Sequence, residues 1–529
     1  MKLKELFIVN YKGFVNFKIS FDDKSPLTTI IGQNGVGKSN LIEIIVSIFR
    51  AIDLGEQTDF SFSLNYECRE HDIQITFDVD NTSKNLVIID KIKKSFSYLK
   101  NNAKEYLPLN IFTYYSGTNE RVESLFVKHQ TRFYDALTKG DDQLIRRFFY
   151  CREVHSFFVL LAFLVDDEKA SKDLLEKLHI KSLESVLFVL KKPYWYKGRP
   201  SEIMQEEGDE RFWYSRGIVK DFLSNLWNEA IAPIDNSERK IIDFRGRSET
   251  QDRLYLFLPD KAALENLARK YSDTTALFKN IESTYIADLL EDVQVTVTTT
   301  DNKELTFSAL SEGERQLLTV LGLMKFTRGD ESLFLLDEPD THLNPRWKLN
   351  YFDQIEKILD YKIDGTNRTA WDSSQVILTT HDPMMLTSLH ARQIRVITEK
   401  DGIKTAELPD EDPINLGVEA IIQSELYGIR TSLDKEIQNK IDLRNQLLAT
   451  KDLSGRPLEE LHKLNEELDS LGLQYAHPNP YFSNFSKAIS RSPLFKRPEF
   501  TPDEYDELQS LSDEILAELL KEDADNDKN

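Results

Sequence analysis

The chain has 529 residues, a net charge of −22 and 40% apolar residues, enough for a sizeable core with inserted or appended lobes. That acidic balance argues against a surface coated for nucleic acid, which needs clustered Lys and Arg, although a local basic groove stays open. Cys68 and Cys151 are its only cysteines and lie far apart in sequence, so neither a disulfide framework nor a cysteine metal site is encoded. The start, MKLKELFIVNYKGF, lacks the apolar block of a signal peptide, and the longest apolar run, FFVLLAFLV (157–165), is far short of a membrane span. The expectation is a soluble, cytoplasmic protein with no membrane contact.

Residues 1 to about 115 predict a β-rich lobe: LKELFIVNY, NFKISF and LTTIIG, then IQITFDV, NLVIIDKI and LNIFTYY. Between the third strand and an apolar-periodic helix lies TTIIGQNGVGKSNLIEIIVSIF (28–49), which carries the phosphate-loop spacing G-x-x-x-x-G-K-S/T at Gly32, Gly37, Lys38 and Ser39. Glycines, with Gly35 among them and Asn34 and Asn40 alongside, let backbone N–H groups close around phosphate oxygens. Lys38 reaches the β- and γ-phosphates, Ser39 ligates Mg²⁺, and the helix N-terminus adds its dipole. ATP and Mg²⁺ are therefore the expected cofactors. Lys12, in NYKGF, reads either as a neighbour of the nucleotide or as a solvated turn lysine.

From about 125 to 289 the pattern turns helical and irregular, with Trp195, Trp213, Trp227 and several prolines but no sustained heptads, which predicts an inserted, mainly helical lobe. Two basic stretches, KKPYWYKGRP (191–200) and FRGRSE (244–249), read as phosphate contacts beside stacking aromatics or as solvated surface. Acidic runs such as EEGDE oppose the first reading.

Chemistry returns between 290 and 414. FSALSEGERQLLTVLGLM (307–324) starts a long helix at Leu310, Ser311, Glu312, Gly313 and Glu314. An S-x-G-E start is by itself a capping box; it also presents Ser311 and the Gly313 N–H outward as anion donors. SLFLLDEPDTHLNP (332–345) is a buried strand delivering two carboxylates to its end. Beside a phosphate loop, Asp337 supports Mg²⁺ and Glu338 polarises the attacking water. The next strand, in SSQVILTTHDPMML (373–386), ends in Thr379, Thr380 and His381, and RQIRVITEKDGIKTAEL (392–408) is a hairpin turning at Asp401-Gly402. Beyond 415 two amphipathic helices are joined by DLSGRP, with Leu433, Ile437, Ile441 and Leu448 on the first and Leu458, Leu461, Leu464 and Leu468 on the second. Their apolar stripe is packed on the protein's own body or offered to a partner. The end, KEDADNDKN, is an acidic tail.

Gly32–Ser39, LSEGE and LLDEPDTHLNP together resemble the ABC-type ATPase head shared by SMC, RecF and DNA-repair ATPases. The resemblance implies an α/β fold, a mixed sheet plus β-rich lobe, divided into 1–124 and 290–414 by the 125–289 insertion and followed by the helical region 415–529. It also implies that Ser311, Gly313 and Glu314 of one copy close over the nucleotide of another in a head-to-head dimer or larger oligomer, and that His381 is the switch reporting the γ-phosphate. Glu312 and Glu314 depart from the usual L-S-G-G-Q; such L-S-x-G-E forms resemble the bacterial overcoming-lysogenization and defence branch. FTYYSGTNERVE (112–123) is similar to a segment of the Septu-type defence ATPases, PtuA. It stands roughly where ABC heads carry their Q-loop, so Asn119 or Arg121 either senses the nucleotide or belongs to a strand-to-helix turn.

Three functions compete: an ATP-gated scaffold controlling a separate effector, a repair or recombination ATPase acting on DNA, and an ATPase-nuclease of the overcoming-lysogenization type. The last needs a TOPRIM-like centre, but Glu399, Asp410 and Asp412 flank a hairpin without its spacing, and nine scattered histidines form no H-N-H cluster. A DNA machine would need a basic track or long coiled coils. The Septu resemblance instead implies a slow ATPase that assembles with an HNH-type or other effector nuclease against phage. In retron relatives it adds a reverse transcriptase and its RNA–DNA product.

Overall fold

The apolar alternation at the N-terminus becomes two antiparallel strands, β1 (Lys2–Tyr11) and β2 (Phe14–Ser20), followed by the fully apolar β3 (Leu27–Gly32) and the helix α1 (Lys38–Leu54). In the computed structural model the described residues are 1–470 apart from Asp23, 118–119, 142–146, 242–244, 330, 361–368, 415, 425, 428–433 and 449–454. Next come β4 (Phe62–Cys68), β5 (His71–Phe77), β6 (Leu86–Ile89) and β7 (Ile92–Lys94), which extend β1 and β2 into a six-stranded antiparallel sheet of order β2-β1-β4-β5-β6-β7.

The central sheet draws its strands from distant parts of the chain. It contains β3, β8 (Ile111–Tyr115) and β9 (Phe148–Tyr150). From beyond the insertion come β15 (Leu333–Asp337), β16 (Gln375–Thr379), β17 (Ile394–Lys400) and β18 (Ile403–Glu407), in the order β18-β17-β3-β16-β15-β8-β9. All pairings are parallel except β17 with β18. Both faces are covered, which is why β15 reads as an unbroken apolar run. Leu333 and Leu335 face the core shared with α1 and the β-rich lobe, whereas Phe334 and Leu336 face the core shared with the later helices. The register aligns Asp337 with Tyr115 on one side and with Thr379 on the other, and Thr379 with Ile30. β8, β15 and β16 thus end level at one edge and β3 runs two residues further into the phosphate loop, at the edge where open α/β sheets bind ligands.

The α/β class, the β-rich lobe and the C-terminal helices match expectation, but the insertion holds more than helices. β10 (Ile180–Lys191), β11 (Ile231–Ile241) and β12 (Ser248–Leu258) pair with β13 (Leu290–Thr299) and β14 (Glu304–Thr306) in a five-stranded antiparallel sheet of order β11-β12-β10-β13-β14. This sheet crosses the expected boundary at 289. β11, with the sequence IAPIDNSERKI, is an edge strand carrying too few apolar residues to announce itself. Helix His155–Leu164 ties the insertion to helix Glu312–Thr327, where a Cβ on Gly322 would lie 2.0 Å from Val159 Cγ1. At the far end of that helix the buried Lys325 ammonium reaches Asp166 at 2.6 Å and Glu168 at 2.7 Å, and Arg328 also pairs with Glu168 at 2.6 Å.

Residues from 431 onward form a unit of their own. Its helices Lys435–Leu448 and Arg456–Ser470 carry a Lys440–Glu467 ion pair at 3.3 Å, and Leu461, Leu464 and Leu468 are buried. Leu433 and the acidic tail lie outside the described residues. Among the described residues no helix is long and apolar enough to cross a membrane.

Candidate functional site

The phosphate loop leaves β3 at Gly32 and enters α1 at Gly37. Gly37 is the N-cap residue at φ +107°, and a Cβ on it would sit 3.0 Å from the Phe14 ring; a Cβ on Gly32, at φ +154°, would lie 2.5 Å from the Ile397 carbonyl oxygen. Close approach of the β1–β2 turn and of β17 thus demands glycine at both positions. No side chain caps α1, so its first N–H groups are left for a ligand. Lys38 is buried and folds back over the loop, its Nζ donating to the Gly32 carbonyl at 3.0 Å. Burial lowers its pKa, opposed by the nearby Glu338 and Asp337 charges.

Asp337 ends β15 and is buried. Burial pushes its carboxyl above the usual range, while hydrogen bonds from the Ser39 and Thr379 hydroxyls work against that rise. Glu338 follows with a left-handed backbone, φ +48°, strain of the kind that persists where surroundings over-determine it. The surroundings are visible: its N–H donates to the carbonyl and to Oγ1 of Thr379, both at 3.1 Å. His381 Nδ1 faces Glu338 Oε1 at 3.2 Å. One residue earlier, the Thr380 hydroxyl donates to the buried Asp340 at 2.9 Å.

These groups converge on a cavity of about 430 Å³, the size class of ligand clefts. Its lining comprises Asn34, Gly35 and Gly37–Asn40 of the loop, Tyr115, Ser116 and Arg121 from β8 and the segment after it, and Asp337, Glu338 and His381. Arg121 Nε reaches Glu43 at 2.9 Å and its Nη2 donates to Asn40 at 3.1 Å. Lys12 sits in the β1–β2 turn, outside the cavity lining, and pairs with the same Glu43. Asn119 lies outside the described residues. Ser311, Gly313 and Glu314 do not line the cavity. They form a capping box, Ser311 N–H donating to Glu314 at 2.8 Å and Glu314 N–H to Ser311 Oγ at 3.3 Å, with Ser311 exposed. Gly313 is required locally, since a Cβ there would fall 2.2 Å from the His342 carbonyl oxygen.

The donor set suits a nucleoside triphosphate with Mg²⁺: uncapped N–H groups and a buried ammonium for phosphate, and a serine hydroxyl beside a buried carboxylate for a hard cation. Residues 1–386 match the family described as AAA ATPase domain. The chain belongs to that family. Among AAA ATPase domain relatives, the Retron Vc95 probable ATPase of Vibrio cholerae serotype O1 biovar El Tor is 22% identical over 426 residues, 76% of this chain and 74% of that protein. Septu protein PtuA of Bacillus mycoides strain KBAB4 is 26% identical over 141 residues, 26% of this chain and 18% of that protein. The resemblance read from the motifs is borne out by these relatives. The SMC head domain from Thermotoga maritima aligns over 78% of this chain and 100% of its own at 12% identity, with a TM-score of 0.32.

Thr379, Tyr115, Ser116 and Asp340 belong to this constellation without having been assigned a role from sequence. Asp340, three residues after Asp337 in a quoted motif, was within reach; Thr379 needed the strand order.

Proposed function

We propose that this AAA ATPase domain protein binds and hydrolyses ATP, closes head to head with a second copy, and uses its nucleotide state to restrain or release a separate effector nuclease in anti-phage defence of the Septu or retron type. The observation that carries the ATPase reading is the meeting of Lys38, Ser39, Asp337, Glu338 and His381, from three separated motifs, around one cavity. Lys38 and the first N–H groups of α1 hold the phosphates. Mg²⁺, held by the Ser39 hydroxyl and the Asp337 carboxylate, supplies neutralisation of charge on the phosphoryl oxygens. Glu338, its backbone pinned by Thr379, accepts the proton of the attacking water, and His381 keeps that carboxylate oriented and meets the γ-phosphate.

Ser311 and Glu314 stand outside the cavity at the helix start, Ser311 exposed and Glu314 half-buried, which supports their serving the nucleotide of a second copy, whereas Gly313 between them is buried and not turned outward as expected. Nuclease chemistry is assigned to a partner, an HNH-type or other effector, with a reverse transcriptase and its RNA–DNA product as further members in a retron setting. Asp412, which with Glu399 and Asp410 lacks the spacing of a nuclease centre, accepts from the Ala391 N–H and lies 3.1 Å from His390 Nδ1. The test is native mass spectrometry of the Glu338→Gln protein purified with ATP from its own locus, with Lys38→Ala as the nucleotide-free control. An ATP-dependent assembly containing a nuclease subunit is expected. A bare homodimer carrying DNA would replace the scaffold reading with one of DNA repair.

A further inference from the structure

β18 brings to the nucleotide loop a lysine that no motif singles out. Lys404 is 9% exposed, and its ammonium lies 3.1 Å from where a Cβ on Gly13 would be and 3.5 Å from where a Cβ on Gly37 would be. It thus occupies the space between the β1–β2 turn and the N-cap of α1, on the Phe14 side of Gly37 and not itself in the lining of the cavity, beside glycines that offer no side chain to cover it. Among the described residues its partners are weak. One is the Phe14 ring, 5.1 Å from Nζ to the centroid, and the other is its cross-strand neighbour Glu399, 3.9 Å away and 47% exposed.

A buried ammonium needs better compensation than that. Its position makes matters worse, because the N-terminal end of α1 carries the positive end of the helix dipole and Lys38 adds a second buried cation next in the chain. Lys12 does not share the burden, being paired with Glu43. An anion lying across Gly37 would offer the Lys404 ammonium a better partner than either Phe14 or Glu399.

We infer that Lys404 is a second phosphate-binding cation of the nucleotide site, reaching it from the hairpin β17–β18 past Gly13 and Gly37; the inference rests on the ATP reading given above. It makes Lys404 a binding residue for the polyphosphate, with the Phe14 ring beneath its ammonium.

The test is isothermal titration with two probes, ATP and inorganic triphosphate, on the full chain as wild type, Lys38→Ala, Lys404→Met and Lys404→Arg. Lys404→Met keeps an apolar stem and removes the charge. It is expected to weaken both probes about 10- to 100-fold, the loss typical of a hydrogen bond to a charged group, and Lys404→Arg to restore most of that loss. A Met variant that binds both probes like wild type overturns the inference while leaving the ATP site intact. So does a loss confined to ATP, which would place Lys404 on the nucleoside. If the Met variant does not fold by circular dichroism, Lys404→Gln replaces it, and failure of that variant too assigns Lys404 a purely structural role and overturns the inference. Wild-type protein that binds neither probe, or Lys38→Ala that binds both undiminished, overturns the nucleotide reading itself.

Discussion

Replacing Thr379 by valine keeps the shape of a fully buried side chain and deletes one hydroxyl that serves two neighbours. The hydroxyl donates to Asp337 and accepts the Glu338 N–H at 3.1 Å, but that N–H also reaches the Thr379 carbonyl at 3.1 Å, so the loss falls mainly on Asp337. A hydrogen bond to a charged group is worth about 1.5–3 kcal/mol, and losing the one from Thr379 raises the Asp337 pKa further. Burial already holds that pKa above its unfolded value. The folded chain therefore keeps the proton to higher pH, and this group's contribution to stability is full below the unfolded pKa and lost as pH rises through the folded one. Cation binding runs the other way, because only the ionised carboxylate is a ligand. Turnover should accordingly be followed as a function of Mg²⁺ concentration from mildly acid to mildly alkaline pH. The valine variant is expected to need about 10- to 100-fold more Mg²⁺ at the acid end and to approach wild type at the alkaline end. An identical Mg²⁺ requirement at every pH, or a defect of constant size, would refute the assigned link between Thr379 and Asp337.

Glu338→Gln should retain ATP affinity and lose turnover by about 100- to 10,000-fold, the range for a displaced general base; normal turnover in a phosphate-release assay would remove Glu338 from that role. Ser311→Arg dismantles the capping box, lowering stability by about 1 kcal/mol, yet should leave ATP binding by a single chain intact and block closure in the Glu338→Gln background. Undiminished ATP-dependent dimerisation by light scattering would exclude a composite site. Lys325→Met leaves the Asp166 and Glu168 carboxylates without their buried ammonium and should cost about 3 kcal/mol, read as a lowered thermal midpoint with ATP affinity unchanged.

The phosphate loop, Asp337, Glu338 and His381 were legible because each depends on local geometry: a strand, a tight turn and a helix following one another directly along the chain, or two carboxylates at the end of an apolar strand. What was not legible depends on pairing between distant segments. Nothing in SSQVILTTHDPMML says that β16 lies between β3 and β15, yet that order is what hands Thr379 to Asp337. Lys404 was hidden similarly, as one residue of a hairpin read only for its Asp401-Gly402 turn. The sheet in the insertion escaped because β11 is a polar edge strand and because β13 and β14 come from beyond the expected boundary. Helix propensity in the intervening segments dominated the pattern there.

Helix Glu312–Thr327 has Ser311 at one end and the Lys325 clamp on the insertion at the other. Sixteen residues of α-helix make a rod of about 24 Å, so a tilt of about 10° around the Ser311 end would carry the Lys325 end through about 4 Å. The rod is then a lever arm pivoted at Ser311. A displacement at Ser311 would thus be delivered, about a helix length away, to the Asp166 and Glu168 carboxylates of the insertion.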